Sequence, residues 1–329
     1  MHMSAAIGNP DSVQSIPVAG TRYRHLLDSA RKLDPIRTAI VHPCTAVSLA
    51  SAMEAMETGL IVPMLIGPVA KIRKAAAEAG RELKHVQIVD VPHSHAAAER
   101  AVALGREAKV DALMKGSLHT DELMAAVVDK DGGLRTERRM SHVFAIDVPH
   151  YAKPLFITDA AVNIAPDLDT KRDIIQNAID LLKALGIDSP KVAILSAIET
   201  VSSKIPSTID AAALCKMAER QQIRGGILDG PLAFDNAISS EAARTKGIIS
   251  PVSGHVDILV VPDLEAGNML VKQLIYLAGA LAAGVVLGAR IPIIVTSRSD
   301  SDVARLTSCA LAKLLVRRQR INQELVKGL

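Results

Sequence analysis

The chain has 329 residues, enough for one to three domains with a large core, and a formal net charge of +3. Aromatic residues make up only 2% of the chain and Trp is absent, so the core must be built from Ala, Val, Ile and Leu. Lys and Arg are interspersed with Asp and Glu, and almost no aromatic rings are available to stack on bases. The composition therefore argues against nucleic-acid binding.

Strand-like apolar runs alternate with helical patterns along almost the whole chain. The predicted strands are Thr38–His42, Leu60–Ile66, Val86–Val91, Ala112–Met114, Val143–Val148, Leu155–Thr158, Val192–Leu195, Gly226–Leu228, Ile258–Val261, Val285–Leu287 and Ile291–Val295. The predicted helices, which repeat apolar residues at intervals of three and four, are Thr45–Glu57, Val69–Ala79, Ala96–Ala108, Asp121–Val128, Leu168–Leu185, Ile209–Arg220, Ala266–Ala283 and Val303–Glu324. This alternation predicts an α/β fold with mainly parallel sheets and helices on both faces.

Eleven predicted strands are many for one open sheet, which favours two α/β domains. A charged, Gly-rich break falls at Asp129–Met140 (DKDGGLRTERRM), and the strand after it is expected to begin the second domain. The uncharged run Leu274–Ala289 has 16 residues, fewer than the ~20 that cross a bilayer. We interpret it as a buried helix running into a buried strand, so no membrane span is expected.

The three cysteines, Cys44, Cys215 and Cys309, are far apart and form no C-x-x-C pair. Their odd number and wide spacing indicate a reducing, cytoplasmic setting without disulfides. Among the histidines, His93 and His95 come closest to a metal-ligand spacing, and the signal is too weak to predict a metal site.

Polar side chains follow the last predicted strand in the segment Thr296–Asp302 (TSRSDSD). Open α/β sheets bind their ligands at the carboxyl ends of parallel strands. Arg298 offers a planar fork for phosphate or carboxylate oxygens, and Asp300 and Asp302 offer proton acceptors. In the alternative interpretation, Ser299 or Asp300 only caps the following helix and Arg298 forms a surface ion pair.

Candidate anion-binding groups follow two other strands. Lys115, Gly116 and Ser117 offer an ammonium group, an unobstructed backbone and a hydroxyl before a helix N-terminus, although the P-loop spacing is absent. Ser203 and Lys204 lie in a hydroxyl-rich loop after the strand Val192–Leu195. The alternatives are a capped helix in the first case and a solvated loop in the second.

Two further segments carry candidates. Asp263, Gly267 and Asn268 open a long apolar helix, where Asp263 can cap, Gly267 permits close approach, and Asn268 suggests either a function or a packed partner. Arg135 belongs to a cluster of arginines at the predicted domain break and either binds an anion or is simply solvated.

Six segments together resemble the phosphate acetyltransferase/phosphate butyryltransferase family. In chain order they are KGSLHT, GLRTERRMSHVFAIDVP, AILSAIETVSSKIPSTIDA, GGILDGPLAFDNAIS, KGIISPVSGHVDILVVPDLEAGNML and PIIVTSRSDS. The resemblance covers roughly Thr38 to Leu315, is closer to butyryltransferases in the middle, and extends to the C-terminal half of enoyl-CoA hydratase/phosphate acetyltransferase fusions.

This resemblance implies the reaction acyl-CoA + phosphate ⇌ acyl phosphate + CoA, with a short acyl group such as acetyl or butyryl. Coenzyme A is then a substrate, no cofactor is tightly bound, no metal takes part in the chemistry, and the protein is a homodimer. The implied fold is two α/β domains with the active-site cleft between them, as in isocitrate and isopropylmalate dehydrogenases. The first domain is expected over residues 1–140 plus 290–329 and the second, inserted domain over 141–289.

The resemblance also suggests roles for single residues. Ser297 and Arg298 match a Ser-Arg pair that holds the phosphate and stabilises the transition state. Asp300 and Asp302 compete for the role of catalytic base, with a slight preference for Asp302, and Arg135 is the candidate for a second phosphate-binding Arg. The candidate substrate-binding residues are Lys115, Gly116, Ser117, Arg135, Ser203, Lys204, Asp263, Gly267 and Asn268.

Two other functions remain open at this point. A catalytically silent CoA-binding paralogue would share all of these segments. An NAD(P)-dependent decarboxylating dehydrogenase would share the architecture, and the missing G-x-G-x-x-G pattern argues only weakly against it.

Overall fold

The structure, a computed structural model, describes residues 20–296 and 300–327. Its strands are β1 (Ile36–Val41), β2 (Ile61–Ile66), β3 (Gln87–Val89), β4 (Ala112–Lys115), β5 (Ser141–Asp147), β6 (Leu155–Thr158), β7 (Lys191–Leu195), β8 (Ile227–Leu232), β9 (Ile258–Val260), β10 (Leu281–Leu287) and β11 (Ile293–Ile294). All eleven predicted strands are confirmed, because β-branched apolar runs of this length have few alternatives to a buried strand.

Helices connect most of the strands. They are α1 (Thr21–Arg31), α2 (Ala46–Glu57), α3 (Val69–Glu78), α4 (Ser94–Arg106), α5 (Thr120–Val128), α6 (Leu168–Ala184), α7 (Pro206–Glu219), α8 (Phe234–Ile238), α9 (Ser240–Thr245), α10 (Leu264–Leu277) and α11 (Asp302–Lys327). Sequence patterns missed α1, α8 and α9. The last two have five and six residues, too few to show a helical period.

One sheet contains all eleven strands, in the order β3-β2-β1-β4-β11-β10-β5-β6-β9-β7-β8. Seven of the ten described strand pairs are parallel, and the three antiparallel pairs join β11, β10, β5 and β6 in the middle of the sheet. The predicted α/β class with a mainly parallel sheet is therefore confirmed.

Helices cover both faces of the sheet, as the near-continuous apolar strands require. Buried side chains of α4 and α5 form one apolar cluster with the neighbouring strands, and those of α1, α2, α3, α6, α7 and α11 belong to another. The strand order places the strands of the predicted first domain on one side and those of the second on the other. Because one sheet runs through both groups, the domain division stays a prediction.

The predicted helix Ala266–Ala283 is wrong at its C-terminal end. Helix α10 ends at Leu277, and residues 281–283 lie in β10, which pairs with β5. Gly279 takes a left-handed conformation (φ 63°) that terminates the helix, and the Ala-rich run after it is compatible with either element. Leu274–Ala289 is thus a helix followed by a strand, as expected, but the helical part is not buried, since Tyr276 and Leu277 are 71% and 84% exposed. None of the helices in the described ranges combines the length and apolar character needed to cross a membrane.

Candidate active site

Three neighbouring parallel strands end at one edge of the sheet. Val41 pairs with Lys115 across β1 and β4, and Ile294 pairs with Met114 across β11 and β4. The segments that follow these strands must therefore emerge side by side. This register brings Lys115 and Thr296, which are 181 positions apart in the sequence, to the same place.

Two adjoining cavities open at this edge and share Lys115 and Thr296. The larger, about 810 Å³, is within the usual range for a small-molecule site. On the side of β4 and β11 it is lined by Lys115, Thr296 and Asp300, and on the opposite side by β5, β10 and α10. The smaller, about 260 Å³, has Ser117 and Arg305 among its lining residues. The larger cavity thus takes residues from both predicted domains, as a cleft between them would.

Ser297, Arg298 and Ser299 lie outside the described residues. Thr296 and Asp300, which flank them in the sequence, both line the larger cavity.

Gly116 and Ser117 hold the end of β4 against the end of β1. The Gly116 N–H donates to the Val41 carbonyl at 2.9 Å, and a Cβ at position 116 would lie only 2.4 Å from that oxygen. The Ser117 hydroxyl donates to the His42 carbonyl at 2.6 Å and accepts from the Cys44 N–H at 3.1 Å. Both residues also line the smaller cavity, so the predicted role in anion binding is compatible with their structural role.

Asp300 and Asp302 have different surroundings. Ser301 caps α11 by accepting from the Ala304 N–H at 3.3 Å, so neither Ser299 nor Asp300 is needed as the cap. The Asp302 carboxylate forms an ion pair with Arg305 and is 65% exposed, and it is not among the described residues that line either cavity. Arg305 also donates to the backbone carbonyl of Asp300, whose residue lines the larger cavity.

The three candidates on α10 divide into two groups. Asp263 caps the helix by accepting from the Ala266 N–H at 2.8 Å. Gly267 packs against residues that follow β9 and β6, where a Cβ would lie 2.6 Å from Val261 Cγ2 and 2.8 Å from Ala160 Cβ. Asn268 lines the larger cavity and donates to the Ala160 carbonyl at 3.4 Å. Of the three, the structure brings only Asn268 to the cavity.

Gly267→Ala should therefore lower stability more than catalysis. The added methyl group overpacks a buried contact, and we expect a loss of about 1–3 kcal/mol in the free energy of unfolding, measured with urea. The KM values for the substrates should change by less than about threefold, because the added methyl group lies in a packed contact and not in the cavity. Asn268→Ala, one residue away on the cavity side, is the matched variant and should raise KM with little loss of stability. A large KM effect for Gly267→Ala at unchanged stability would contradict this assignment.

Three other candidates are not brought to these cavities. Arg135 is exposed, and its backbone forms an isolated antiparallel bridge with Ala289. Ser203 and Lys204 are exposed in the turn before α7. None of the three is among the described residues that line the two cavities.

Comparison with known proteins identifies the family. A family model described as "Phosphate acetyl/butaryl transferase" matches residues 94–313, about two thirds of the chain. The chain belongs to this family. Its solved structural relatives include phosphotransacylases with a dehydrogenase-like α/β fold, which confirms the predicted fold class.

Individual relatives span nearly the whole chain. A phosphate acetyltransferase of Rhizobium meliloti is 62% identical over 307 residues, which cover 93% of this chain and 97% of the relative. A phosphate butyryltransferase of Clostridium acetobutylicum is 39% identical over 267 residues, covering 81% and 89%. The crystal structure of a branched-chain phosphotransacylase from Enterococcus faecalis V583 superposes with a TM-score of 0.75 at 29% identity, covering 85% and 99%.

His142 lines the larger cavity, and the sequence did not single it out. It lies on β5 inside an apolar run and is 3% exposed. Its Nδ1 is buried without a hydrogen-bond partner among the described residues. Desolvation lowers the pKa of His142 to about 4, so the imidazole is neutral at physiological pH.

The low pKa of His142 predicts a pH-dependent stability. The unfolded chain protonates this residue near pH 6.5 and the folded chain only near pH 4. Through this residue, the free energy of unfolding is at its full value above about pH 6.5 and decreases progressively as the pH falls towards 4. At pH 4.5 the loss amounts to roughly 2–3 kcal/mol. Urea unfolding of the wild type and His142→Phe at pH 7 and pH 4.5 checks this, since other titrating groups cancel between the two. Parallel pH profiles would contradict it.

The cysteines of this family member are poor nucleophiles. Cys309 is fully buried, and burial raises its pKa to about 12. Burial also raises the pKa of Cys215 to about 12 and that of Cys44 above its ordinary value. Within residues 20–296 and 300–327 no group of His, Cys, Asp or Glu side chains is arranged to hold a metal ion.

Proposed function

We propose that this protein is a phosphate acyltransferase that catalyses acyl-CoA + phosphate ⇌ acyl phosphate + CoA with a short acyl group. The observation that carries the proposal is the 62% identity to a phosphate acetyltransferase over 93% of the chain. The cavity at the ends of β4 and β11 supports it, because it combines an ammonium group, a carboxylate and apolar walls. Coenzyme A is a substrate, and no tightly bound cofactor is needed for this reaction.

The chemistry is a direct transfer within a ternary complex. In the direction of acyl-CoA formation, the CoA sulfur attacks the acyl carbon, the carbon–sulfur bond forms, and the carbon–oxygen bond to phosphate breaks. The thiol proton passes to a carboxylate, and phosphate leaves as the anion. The low acidity of the three cysteines supports a route without an acyl-enzyme intermediate.

We assign the carboxylate to Asp300. Asp300 lines the larger cavity, whereas Asp302 is not among the described residues that line it and its carboxylate is largely exposed. The reference pKa values, about 3.9 for Asp and about 8.5 for a thiol, make a complete proton transfer uphill by roughly 6 kcal/mol. Transfer concerted with the attack of sulfur on carbon reduces this barrier, since the proton leaves as the sulfur loses electron density.

The charged phosphate requires cationic partners. We propose that Arg298 binds its oxygens bidentately and that Ser297 donates to the oxygen that becomes negative in the transition state. Lys115 lies between the two cavities, and its ammonium adds positive charge at the same edge of the sheet. Arg135 stays a weaker proposal for a second phosphate ligand, because it is exposed and outside the cavity lining.

The decisive test is phosphate-dependent release of CoA from acetyl-CoA and butyryl-CoA, followed with a thiol reagent. Release with either substrate supports the proposal. Absence of turnover with calorimetric binding of CoA would instead identify a catalytically silent CoA-binding protein. Absorbance changes with NAD⁺ or NADP⁺ and a 2-hydroxy acid would identify a decarboxylating dehydrogenase.

The apolar part of the larger cavity bears on the acyl group. Phe144, Val271, Ile275 and Leu281 line it, so space beyond an acetyl group is available. We propose that acyl chains of two to about four carbons are accepted, and a kinetic comparison of C2 to C6 acyl-CoAs tests this.

We also propose a homodimer in a reducing, cytoplasmic setting. Helix α10 exposes Met269, Tyr276 and Leu277, which are 59%, 71% and 84% accessible and would be covered by a second copy. All three cysteines are free, which agrees with a reducing environment. Light scattering should give twice the monomer mass of 34.8 kDa; a monomer at micromolar concentration would refute the dimer.

A further inference from the structure

His142 is a buried polar group that the fold does not use. Its residue is 97% buried, and Nδ1 has no partner among the described side chains and backbone groups. An unsatisfied buried nitrogen destabilises the folded state, so an apolar ring would be the more stable choice here. A polar group retained at such a cost calls for a ligand.

The strand around His142 is built to hold the imidazole in the cavity wall. His142 and Phe144 are two residues apart on the same face of β5, and their ring centroids are 4.1 Å apart. On the neighbouring strand β10, a Cβ at Gly284 would lie 2.4 Å from His142 Cε1 and 2.5 Å from Nε2. Glycine at position 284 therefore leaves the space that the imidazole occupies. His142, Phe144 and Gly284 all line the larger cavity.

We propose that His142 contacts the substrate and donates a hydrogen bond to the acyl carbonyl oxygen, orienting it for transfer. This inference rests on the proposed acyltransferase function. The sulfur must come within reach of the carboxylate that takes its proton, and Asp300 and His142 line the same cavity. Because the acyl carbon is bonded to that sulfur in one of the two substrates, the carbonyl must lie in this cavity too.

The chemistry of His142 suits a carbonyl better than a phosphate. An imidazole that stays neutral offers one N–H and no full charge, which matches an uncharged oxygen with a growing partial charge. Phosphate is better matched by guanidinium and ammonium groups, which lie in the Ser297-Arg298 segment and at Lys115. The amide carbonyls of the CoA arm are also uncharged and could accept the same hydrogen bond. The experiment below distinguishes them from the acyl carbonyl.

The test compares His142→Phe with His142→Asn and His142→Gln in both reaction directions. We expect His142→Phe to lower kcat/KM about 10- to 30-fold for acyl-CoA with phosphate and for acyl phosphate with CoA, because the carbonyl is common to both. Its urea midpoint at pH 7 should equal or exceed that of the wild type. Asn places an N–H near Nδ1 and Gln near Nε2, so partial rescue by either supports the inference and identifies the nitrogen. Failure of both to recover any activity would overturn it.

Gly284→Ala supplies a second perturbation that leaves His142 unchanged. The new methyl group displaces the imidazole, and we expect a similar loss of kcat/KM. This variant also serves if His142→Phe fails to fold. Calorimetric titration of CoA alone should give an unchanged Kd for each variant. A Kd weakened by the same factor as kcat/KM would place His142 on the CoA arm, and wild-type kcat/KM in both His142→Phe and Gly284→Ala would exclude any contact. An inactive wild type would instead refute the proposed function.

Discussion

Asp300→Asn should lower kcat by about 10²- to 10⁴-fold, the usual contribution of a positioned general base. Asn is nearly isosteric with Asp, so the KM for CoA and for phosphate should change little. The difference in kcat between Asp300→Asn and the wild type should narrow as the pH rises through about 8.5, because the CoA thiolate then forms without a base. Initial rates of acyl phosphate with CoA between pH 6.5 and 9.5 provide the measurement.

Asp302→Asn is the matched control, two residues further along the chain. It removes the partner of Arg305 in an ion pair whose carboxylate is 65% exposed. Exposed pairs of this kind contribute about 0–1 kcal/mol, so the change in kcat should stay within about fivefold. A large loss in Asp302→Asn together with near-wild-type rates in Asp300→Asn would reverse the assignment.

The edge of the sheet that carries the site could be predicted from local patterns. Runs such as Ile291–Val295 are apolar and β-branched, and polar residues follow them directly. Parallel strands of one sheet align their carboxyl ends, so polar residues that follow such strands are expected at one edge, and the register of β4 with β11 brings Lys115 and Thr296 together there.

The other half of the site depends on contacts that no local pattern encodes. His142 sits in an apolar strand like any buried residue, and its open nitrogen becomes visible only once β10 contributes Gly284 beside it. The choice between Asp300 and Asp302 depends on the start of α11, where Arg305 forms an ion pair with the Asp302 carboxylate, while Asp300 lines the larger cavity. For Gly267, the sequence suggested close approach, and only the packing of α10 on Ala160 and Val261 shows that the approach is to protein.

Arg298→Ala should lower kcat/KM by about 10²- to 10³-fold, with a large part of the loss in the KM for phosphate. The reaction separates a phosphate dianion from a neutral acyl group, and a guanidinium that binds two of its oxygens stabilises the charge as it develops. Arg298→Lys keeps the charge and loses the fork, so it should recover only part of the activity.

The control for this variant is Arg317→Ala, which removes an exposed guanidinium from α11. If the loss in Arg298→Ala came only from the net charge of the protein, Arg317→Ala would share it, and added salt would equalise the two. We expect instead that Arg317→Ala behaves as the wild type. The loss of kcat/KM in Arg298→Ala should persist at 0.5 M salt, because the Debye length is then about 4 Å and only charges in direct contact still interact strongly. An Arg298→Ala enzyme with wild-type KM for phosphate and wild-type kcat would remove Arg298 from the phosphate site, and Lys115, which lines both cavities, would be the next residue to test as the phosphate ligand.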